Sequence, residues 1–360
     1  MFIVFRTDAT SQIGTGHFMR CLTLADGLKR NGAHIRFISR ELPVHLRAIL
    51  AAKGIELSSL DIYASAAPPD DLAHAHWLGS SQVQDAEATT RAMQDHSWDW
   101  IVVDHYALDA RWEGALRATA KKIMVIDDIA DRQHDCDVLL DQNFGSRAEN
   151  YVLLLPSHCL ILAGSAYALL RPEFAALRID SLSRRRQPAM RRVLVAMGGV
   201  DELNVTAAVL ESLRKSELSE GVEIVVVLGA SAPWIESVRH QAKHLKWRTE
   251  VLVGVTDMAR VMADSDLAVG AVGSTTWERC CLGLPSVLVK LAVNQENSGI
   301  HLADAGAALV IDSTEIQSRL TGLINGLIRD VDARKRLAEA ASNITDGKGI
   351  DRLMEQIVWQ

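Results

Sequence analysis

The chain has 360 residues, of which 48% are hydrophobic and 23% charged, and its net charge is −7. Length and composition are those of a globular protein with about two domains. The acidic balance excludes the charge pattern of a nucleic-acid-binding or anionic-membrane-binding protein, and no apolar run approaches the ~20 residues that span a bilayer. The five cysteines form no CxxC pair, so we expect a cytoplasmic protein without disulfides, zinc or a secretory signal.

Buried-type strands alternate with amphipathic helices through the first half of the chain. Strands are predicted at 2–5, 35–39, 100–103, 123–126 and 138–140, with weaker candidates at 152–155 and 160–162. A helix follows the first strand, repeats apolar residues at helical spacing from Phe18 to Leu28, and ends at Gly32. This alternation predicts a parallel sheet with helices on both faces.

The second half of the chain repeats this rhythm. Its strands are predicted at 193–197, 222–228, 251–253, 267–269, 287–289 and 309–311. We therefore expect two Rossmann-like, doubly wound α/β domains, 1–175 and 191–360, joined by a charged linker at 176–190 and facing a central cleft. Ligands of such sheets bind at the carboxyl ends of the strands. The sequence leaves open whether the last helix, near 350–358, crosses back to the first domain.

The first glycine-rich motif, Gln-Ile-Gly-Thr-Gly-His at 12–17, follows the first strand. Gly14 and Gly16 let backbone N–H groups approach a phosphate, and His17 lies in the first turn of the helix. A dinucleotide fingerprint needs a third glycine or alanine, where this chain has Met19, and an acidic residue after the second strand. We therefore expect no nicotinamide or flavin cofactor. The alternative is a plain tight turn with a polar helix start.

A second glycine pair, Gly198 and Gly199, follows the first strand of the second half. Paired glycines again permit the close approach of an anion, with the next helix supplying N–H groups. The alternative is a turn in which Asp201 caps that helix.

Two more polar clusters follow later strands. Ser274 and Thr275 begin a predicted helix and suit a diphosphate, and Glu278, about one turn on, suits the two hydroxyls of a ribose. The alternative for this glutamate is a capping box. Asn294 and Gln295 suit hydroxyl and acetamido groups of a sugar, or else cap a solvated helix start.

In the first half, the strand at 100–103 runs into Asp104, His105 and Tyr106, on the same sheet edge as His17. Tyr106 is a candidate for holding the sugar or the water, and turn chemistry is the alternative. Asp-Asp at 127–128 ends the next strand, but no further ligand spacing supports a metal, so none is predicted.

These residues resemble the UDP-sugar hydrolases of pseudaminic acid biosynthesis. The motifs that carry the resemblance are Phe5–Asp8, Gln12–His17, Arg20–Leu22, Trp77–Gly79, Gln84–Ala86, Val103–Tyr106, Asp127–Asp128, Leu140–Asn143, Gly164 to Phe174 and Met197–Asp201. The resemblance runs over about 1–350 and implies a GT-B fold. Its glycine-rich helix starts are shared with GT-B glycosyltransferases.

The resemblance also implies a reaction. UDP-2,4-diacetamido-2,4,6-trideoxy-β-L-altropyranose is hydrolysed with inversion at C1, by C1–O cleavage, without metal or cofactor. His17 matches the catalytic histidine of the family, the segment ending in Glu278 matches its uridine ribose and phosphate segment, and Asn294-Gln295 matches its Asn-Gln pair. A small-molecule UDP-sugar is then the expected partner, and we expect a monomer, although the sequence does not fix the oligomeric state.

Three alternatives remain open from the sequence. A GT-B glycosyltransferase would pass the sugar to an acceptor, a hydrolysing UDP-sugar 2-epimerase would invert C2, and a UDP-sugar sensor would bind without turnover. UDP release in water alone, and the configuration of the product at C2, distinguish them.

Overall fold

The computed structural model describes residues 1–10, 12–62, 70–187, 189–292 and 295–357. The chain divides into two compact units. The first contains Met1–Leu169 and Ile350–Gln360, and the second contains Leu170–Gly349. Each unit has its own parallel β-sheet, as the alternation of strands and helices predicts.

The first sheet has seven strands in the order β3-β2-β1-β4-β5-β6-β7. They are β1 (Phe2–Thr7), β2 (His34–Ser39), β3 (Glu56–Ser59), β4 (Trp98–Asp104), β5 (Ala120–Ile126), β6 (Val138–Asp141) and β7 (Leu160–Ala163). The helices between them are α1 (Gly16–Arg30), α2 (Val44–Ala52), α3 (Gln82–Ala92) and α4 (Ala110–Leu116). The order reverses at β1 and β4, which pair with Thr7 opposite Asp104.

Alternate residues of these strands enter two cores, one on each face of the sheet. Ile3 and Phe5 join one core, and Val4 joins the other. Because successive side chains of a strand point to opposite faces, a continuous apolar run such as 2–5 is what a sheet covered on both sides requires.

The second sheet has six strands in the order β10-β9-β8-β11-β12-β13. They are β8 (Arg192–Ala196), β9 (Glu223–Leu228), β10 (Thr249–Val253), β11 (Leu267–Ala271), β12 (Ser286–Lys290) and β13 (Leu309–Asp312). The helices of this unit are α5 (Pro172–Arg185), α6 (Val205–Arg214), α7 (Ile235–Ala242), α8 (Met258–Ala263), α9 (Thr275–Cys281), α10 (Glu296–Asp304), α11 (Thr321–Arg329) and α12 (Val331–Ser342).

The last helix, α13 (Gly349–Ile357), contributes to the core of the first unit. Its residues Ile350, Leu353 and Ile357 are buried with the side chains of β1, α1 and β2. Gly27 on α1 makes room for it, because a Cβ at this position would lie 2.7 Å from Ile350.

The structure differs from the sequence-based expectation in three places. Residues 152–155 form turns instead of a strand, because Tyr151 begins a series of tight turns before β7. The short strand β3 was not predicted, since only one of its four residues is apolar. Residues 176–185 of the predicted linker continue helix α5, which begins with a proline at its first position.

Candidate functional site

At the carboxyl edge of the first sheet, His17 meets an acidic partner. Its Nδ1 lies 2.6 Å from Oδ1 of Asp104, the last residue of β4. Asp104 is fully buried, whereas the His17 side chain keeps 10% of its surface exposed. Since a carboxylate only accepts, Nδ1 carries the ring proton. Within the described ranges nothing bonds Nε2, whose lone pair is therefore available.

Arg20, one turn after His17 on α1, fixes the orientation of Asp104. Its Nε and Nη2 donate to the two carboxylate oxygens at 2.6 and 2.7 Å, a bidentate pair. Its Nη1 donates to Asp128 at 2.7 Å. Burial alone would raise the pKa of Asp104, but Arg20 and His17 outweigh it and hold that pKa well below its usual range. Asp104 is thus a fixed negative charge.

Tyr106 completes this cluster. Its hydroxyl donates to Asp128, and its ring meets the imidazole of His17 edge to face, with centroids 4.6 Å apart. Burial, together with the charge of Asp128, raises the pKa of Tyr106 well above its usual value, so the phenol stays neutral. As placed, Tyr106 supports the imidazole with its ring, and its hydroxyl is already engaged.

Such an arrangement suits general base catalysis. A carboxylate that holds Nδ1–H leaves Nε2 to accept a proton, and it stabilises the imidazolium that results. Arg20 keeps Asp104 aligned, and the ring of Tyr106 restricts the imidazole. The cluster can therefore activate a water molecule or a hydroxyl next to Nε2.

The glycines of the first motif lie beside this histidine. Gly14 has a φ of 75°, which favours glycine, and a Cβ there would meet nothing within 4 Å. Gly16 is the first residue of α1. The two acidic residues after β5 are both occupied by arginines, Asp127 by Arg132 at 2.8 Å and Asp128 by Arg20.

In the second unit, the glycine pair lies at the carboxyl end of β8. Asp201 caps α6 by accepting from the amides of Val205 and Thr206 at 2.8 and 2.9 Å. The capping alternative is therefore realised for this aspartate. Gly198 and Gly199 are themselves exposed, and Gly198 has a φ of 101°. Asp201 occupies the first amides of α6, so these amides cannot bind an anion. The amides of Gly198 and Gly199 lie earlier in the loop, and Asp201 does not accept from them.

The segment after β11 presents Ser274 and Thr275 at the start of α9, with Ser274 exposed. Glu278 faces Arg171 at 3.5 Å, and it does not bond back to the helix start, so the capping-box alternative is wrong. Burial raises the pKa of Glu278, and Arg171 partly offsets this. The Glu278 side chain lies on α9 and keeps 16% of its surface exposed.

The buried side chain of Arg279 bonds residues on both sides of the loop after β11. Arg279 donates to the carbonyl of Ala271 at 2.6 Å and to the hydroxyls of Thr276 and Thr275 at 3.1 and 3.2 Å. Gly270 leaves room for it, since a Cβ there would lie 2.6 Å from Nη1 of Arg279. Arg279 therefore joins the end of β11 to the first turn of α9.

Gln295 follows β12, next to β11 in the sheet. Its side-chain oxygen accepts from the amide of Leu291 at 2.8 Å, so this oxygen already closes a local turn. Asn294 lies outside the described residues. None of the helices in the ranges that the structure covers is long and apolar enough to cross a membrane.

Sequence reasoning placed Asp104 at the right edge but did not assign it to His17, and it gave Arg20 no role. One signal was available: Arg20 lies three residues after His17, on the same side of α1, and faces a strand that ends in an aspartate. The structure brings His17 and Tyr106 together at one edge of the first sheet. The site residues predicted in the second half of the chain, apart from Asn294, follow strands at the carboxyl edge of the second sheet.

Comparison with solved structures identifies the fold. MurG of Acinetobacter baumannii superposes with a TM-score of 0.70 at 14% sequence identity, over 100% of this chain and 99% of that one. The chain has the GT-B fold. Residues 192–357 match the glycosyltransferase family 28 C-terminal domain, which accords with this architecture.

Two curated relatives span almost the whole GT-B chain. UDP-2,4-diacetamido-2,4,6-trideoxy-β-L-altropyranose hydrolase of Campylobacter jejuni is 24% identical over 85% of this chain and 97% of its own. The spore coat polysaccharide biosynthesis protein SpsG of Bacillus subtilis is 23% identical over 98% of this chain and 96% of its own. The similarity to the Campylobacter hydrolase confirms the resemblance seen in the motifs.

Proposed function

We propose that this GT-B chain is an enzyme that acts on UDP-sugars, and that it hydrolyses UDP-2,4-diacetamido-2,4,6-trideoxy-β-L-altropyranose to UDP and the free sugar. The similarity to the Campylobacter hydrolase supports the substrate class. The observation that carries the reaction type is the pairing of His17 with Asp104, which leaves one imidazole nitrogen free to take a proton from water.

In the proposed reaction, Nε2 of His17 accepts a proton from a water molecule as its oxygen bonds to the anomeric carbon. The C1–O bond breaks, its electron pair stays on the diphosphate, and UDP leaves with inversion at C1. Asp104 stabilises the imidazolium formed, and Arg20 keeps Asp104 in place. A positioned base of this kind contributes about 10²–10⁴-fold. The proposal needs no metal and no cofactor.

For the second unit, we propose that the loops after β8, β11 and β12 bind the nucleotide. The amides of Gly198 and Gly199 and the hydroxyls of Ser274 and Thr275 suit the diphosphate, which they can bind without bulk positive charge. Glu278 suits the ribose, where its carboxylate can accept from both hydroxyls. Asn294 and Gln295 are proposed for the sugar and the phosphate.

A GT-B glycosyltransferase is the second candidate, favoured by the match to the family 28 C-terminal domain. Such an enzyme would need an acceptor before it released UDP. A hydrolysing 2-epimerase is a third, and its product would differ at C2. Both predict a result that differs from simple hydrolysis in the same assay.

The deciding experiment incubates the protein with a panel of UDP-sugars in ¹⁸O-water without acceptor. Hydrolysis at carbon predicts UDP release with the label on the sugar, an inverted anomer by NMR, and an unchanged C2. Label on UDP would mean attack at phosphorus. UDP release only after an acceptor is added would establish the transferase.

A variant tests the base directly. His17→Ala is expected to bind UDP like the wild type and to lose turnover by about 10²–10⁴-fold. His158→Ala, which removes an exposed histidine of the same unit that lies 3.9 Å from Asp137, is the matched control and should keep wild-type turnover. Equal turnover in the two variants would remove His17 from the mechanism.

A further inference from the structure

An aromatic wall stands next to His17 in the first unit, formed by Tyr106, Trp77 and His74. The indole of Trp77 stacks on the phenol of Tyr106 with centroids 5.6 Å apart and planes 25° from parallel. The imidazole of His74 lies 4.4 Å from the indole and 5.4 Å from the phenol. The reaction proposed above uses neither Trp77 nor His74.

This wall is continuous with the base. Tyr106 is only 4% exposed, and the same ring that contacts His17 at 4.6 Å also carries Trp77. Asp128 holds the hydroxyl of Tyr106, which fixes the plane of its ring. The ring of Tyr106 thus lies between Trp77 and His17, whose Nε2 is proposed to activate water.

Trp77 is less enclosed than the core tryptophans of this unit. Trp98 and Trp112 are buried, and their indole N–H groups donate to Met93 and Asp85. Trp77 is half-buried, and in the described part of the chain no group accepts from its N–H. A large aromatic side chain that is packed on one side and partly exposed elsewhere is suited to contact a ligand.

The wall carries no net charge of its own at neutral pH. Burial lowers the pKa of His74, although Asp131 opposes this. Arg132 lies over the ring of Tyr106 at 5.7 Å, but it is paired with Asp127 and Asp131. An uncharged aromatic surface favours neutral, apolar groups over phosphate, and methyl groups or sugar C–H bonds pack well on such rings.

We propose that Trp77, backed by Tyr106 and flanked by His74, selects a hexose that bears methyl groups, by packing against an acetamido methyl or a C6 methyl. The inference rests on the proposed function, which places a sugar next to His17. It assigns Trp77 a specificity-determining role and leaves the proton transfer to His17.

The test compares the wild type with Trp77→Ala, Trp77→Phe and the control His158→Ala, an exposed residue of the same unit whose ring lies 3.9 Å from Asp137. Saturation-transfer NMR and affinity measurements use UDP-glucose, UDP-N-acetylglucosamine, UDP-6-deoxyglucose and the diacetamido-trideoxy substrate. The N-acetyl and 6-deoxy arms distinguish the two methyl sources. Kinetics with the last ligand separate KM from kcat.

The proposal predicts strong saturation of at least one methyl group in the wild type. Trp77→Ala should weaken binding of the methyl-bearing ligands about tenfold, raise KM by a similar factor and change kcat by less than about threefold. Trp77→Phe should retain most of the affinity, and UDP-glucose should bind all the proteins about equally.

Binding and turnover fail independently in this design. Methyl saturation lost in Trp77→Ala, without UDP release by the wild type, supports the aromatic surface and overturns the hydrolase. An equal loss of affinity for UDP-glucose and the methyl-bearing ligands, or a loss confined to kcat, overturns the role of Trp77. The same holds if no ligand shows methyl saturation in the wild type.

Discussion

Replacing Asp104 with asparagine should disable the base while leaving the ring of His17 in place. An asparagine amide at the position of Oδ1 would donate to Nδ1, and the ring proton would then move to Nε2. We expect kcat to fall about a thousandfold, or about 4 kcal/mol at about 1.4 kcal/mol per tenfold change. Arg20 keeps its bond to Asp128, so the loss of stability should be near the lower end of the about 3–5 kcal/mol for breaking a buried ion pair.

The assay is UDP release at a temperature where thermal unfolding shows each variant to be folded. Glu113→Gln is the matched control, because Glu113 is also a fully buried carboxylate and bonds Nδ1 of His134 at 2.7 Å. It should lose stability as well, yet keep kcat within about threefold. The reasoning is refuted if folded Asp104→Asn retains kcat within about tenfold of the wild type, or if the control loses as much.

Three further outcomes are expected. Burial and the charge of Asp128 raise the pKa of Asp141 from 3.8 to about 6, so the wild type loses stability as pH rises through that window. The stability of Asp141→Asn relative to the wild type, measured by chemical denaturation, should therefore increase by up to about 3 kcal/mol between pH 4 and a pH above 6. Gly229→Ala should weaken UDP binding about tenfold by calorimetry, because its Cβ would lie 2.0 Å from the carbonyl oxygen of Gly199. Leu353→Ala should lower the free energy of unfolding by about 2–5 kcal/mol, since it opens a cavity in the first core.

Each of these predictions has a control. Gly221→Ala meets nothing within 4 Å and should bind UDP normally. Glu355→Ala, exposed on α13, should unfold like the wild type. Parallel stability curves for Asp141→Asn and the wild type between pH 4 and 6 would show that its carboxyl titrates alike in the folded and unfolded chains.

Much of the fold follows from the apolar runs of the sequence. A run such as 100–103 has to be a strand covered on both faces, and the residues after it then lie at the carboxyl edge. This placed His17, Tyr106 and Glu278 at sheet edges without knowledge of the contacts. Which acid meets which base depends on strand order, and the neighbour relation of β1 and β4 is not written in local sequence.

Helix α5 shows why periodicity alone failed at 176–185. Part of its buried side is made by arginines that bond backbone carbonyls at the ends of other helices. Arg185 donates to the carbonyls of Met262 and Ser265, and Arg178 donates to those of Ser342 and Thr345. The hydropathy pattern of such a helix resembles that of a solvated linker, because its buried contacts are made by polar side chains to residues distant in sequence.

The return of α13 to the first core has a consequence for biosynthesis. The second unit is continuous in sequence, whereas the first unit lacks Leu353 until translation has passed the whole of the second unit. The half of the chain that is made earliest therefore completes its core only after the whole second unit has been synthesised.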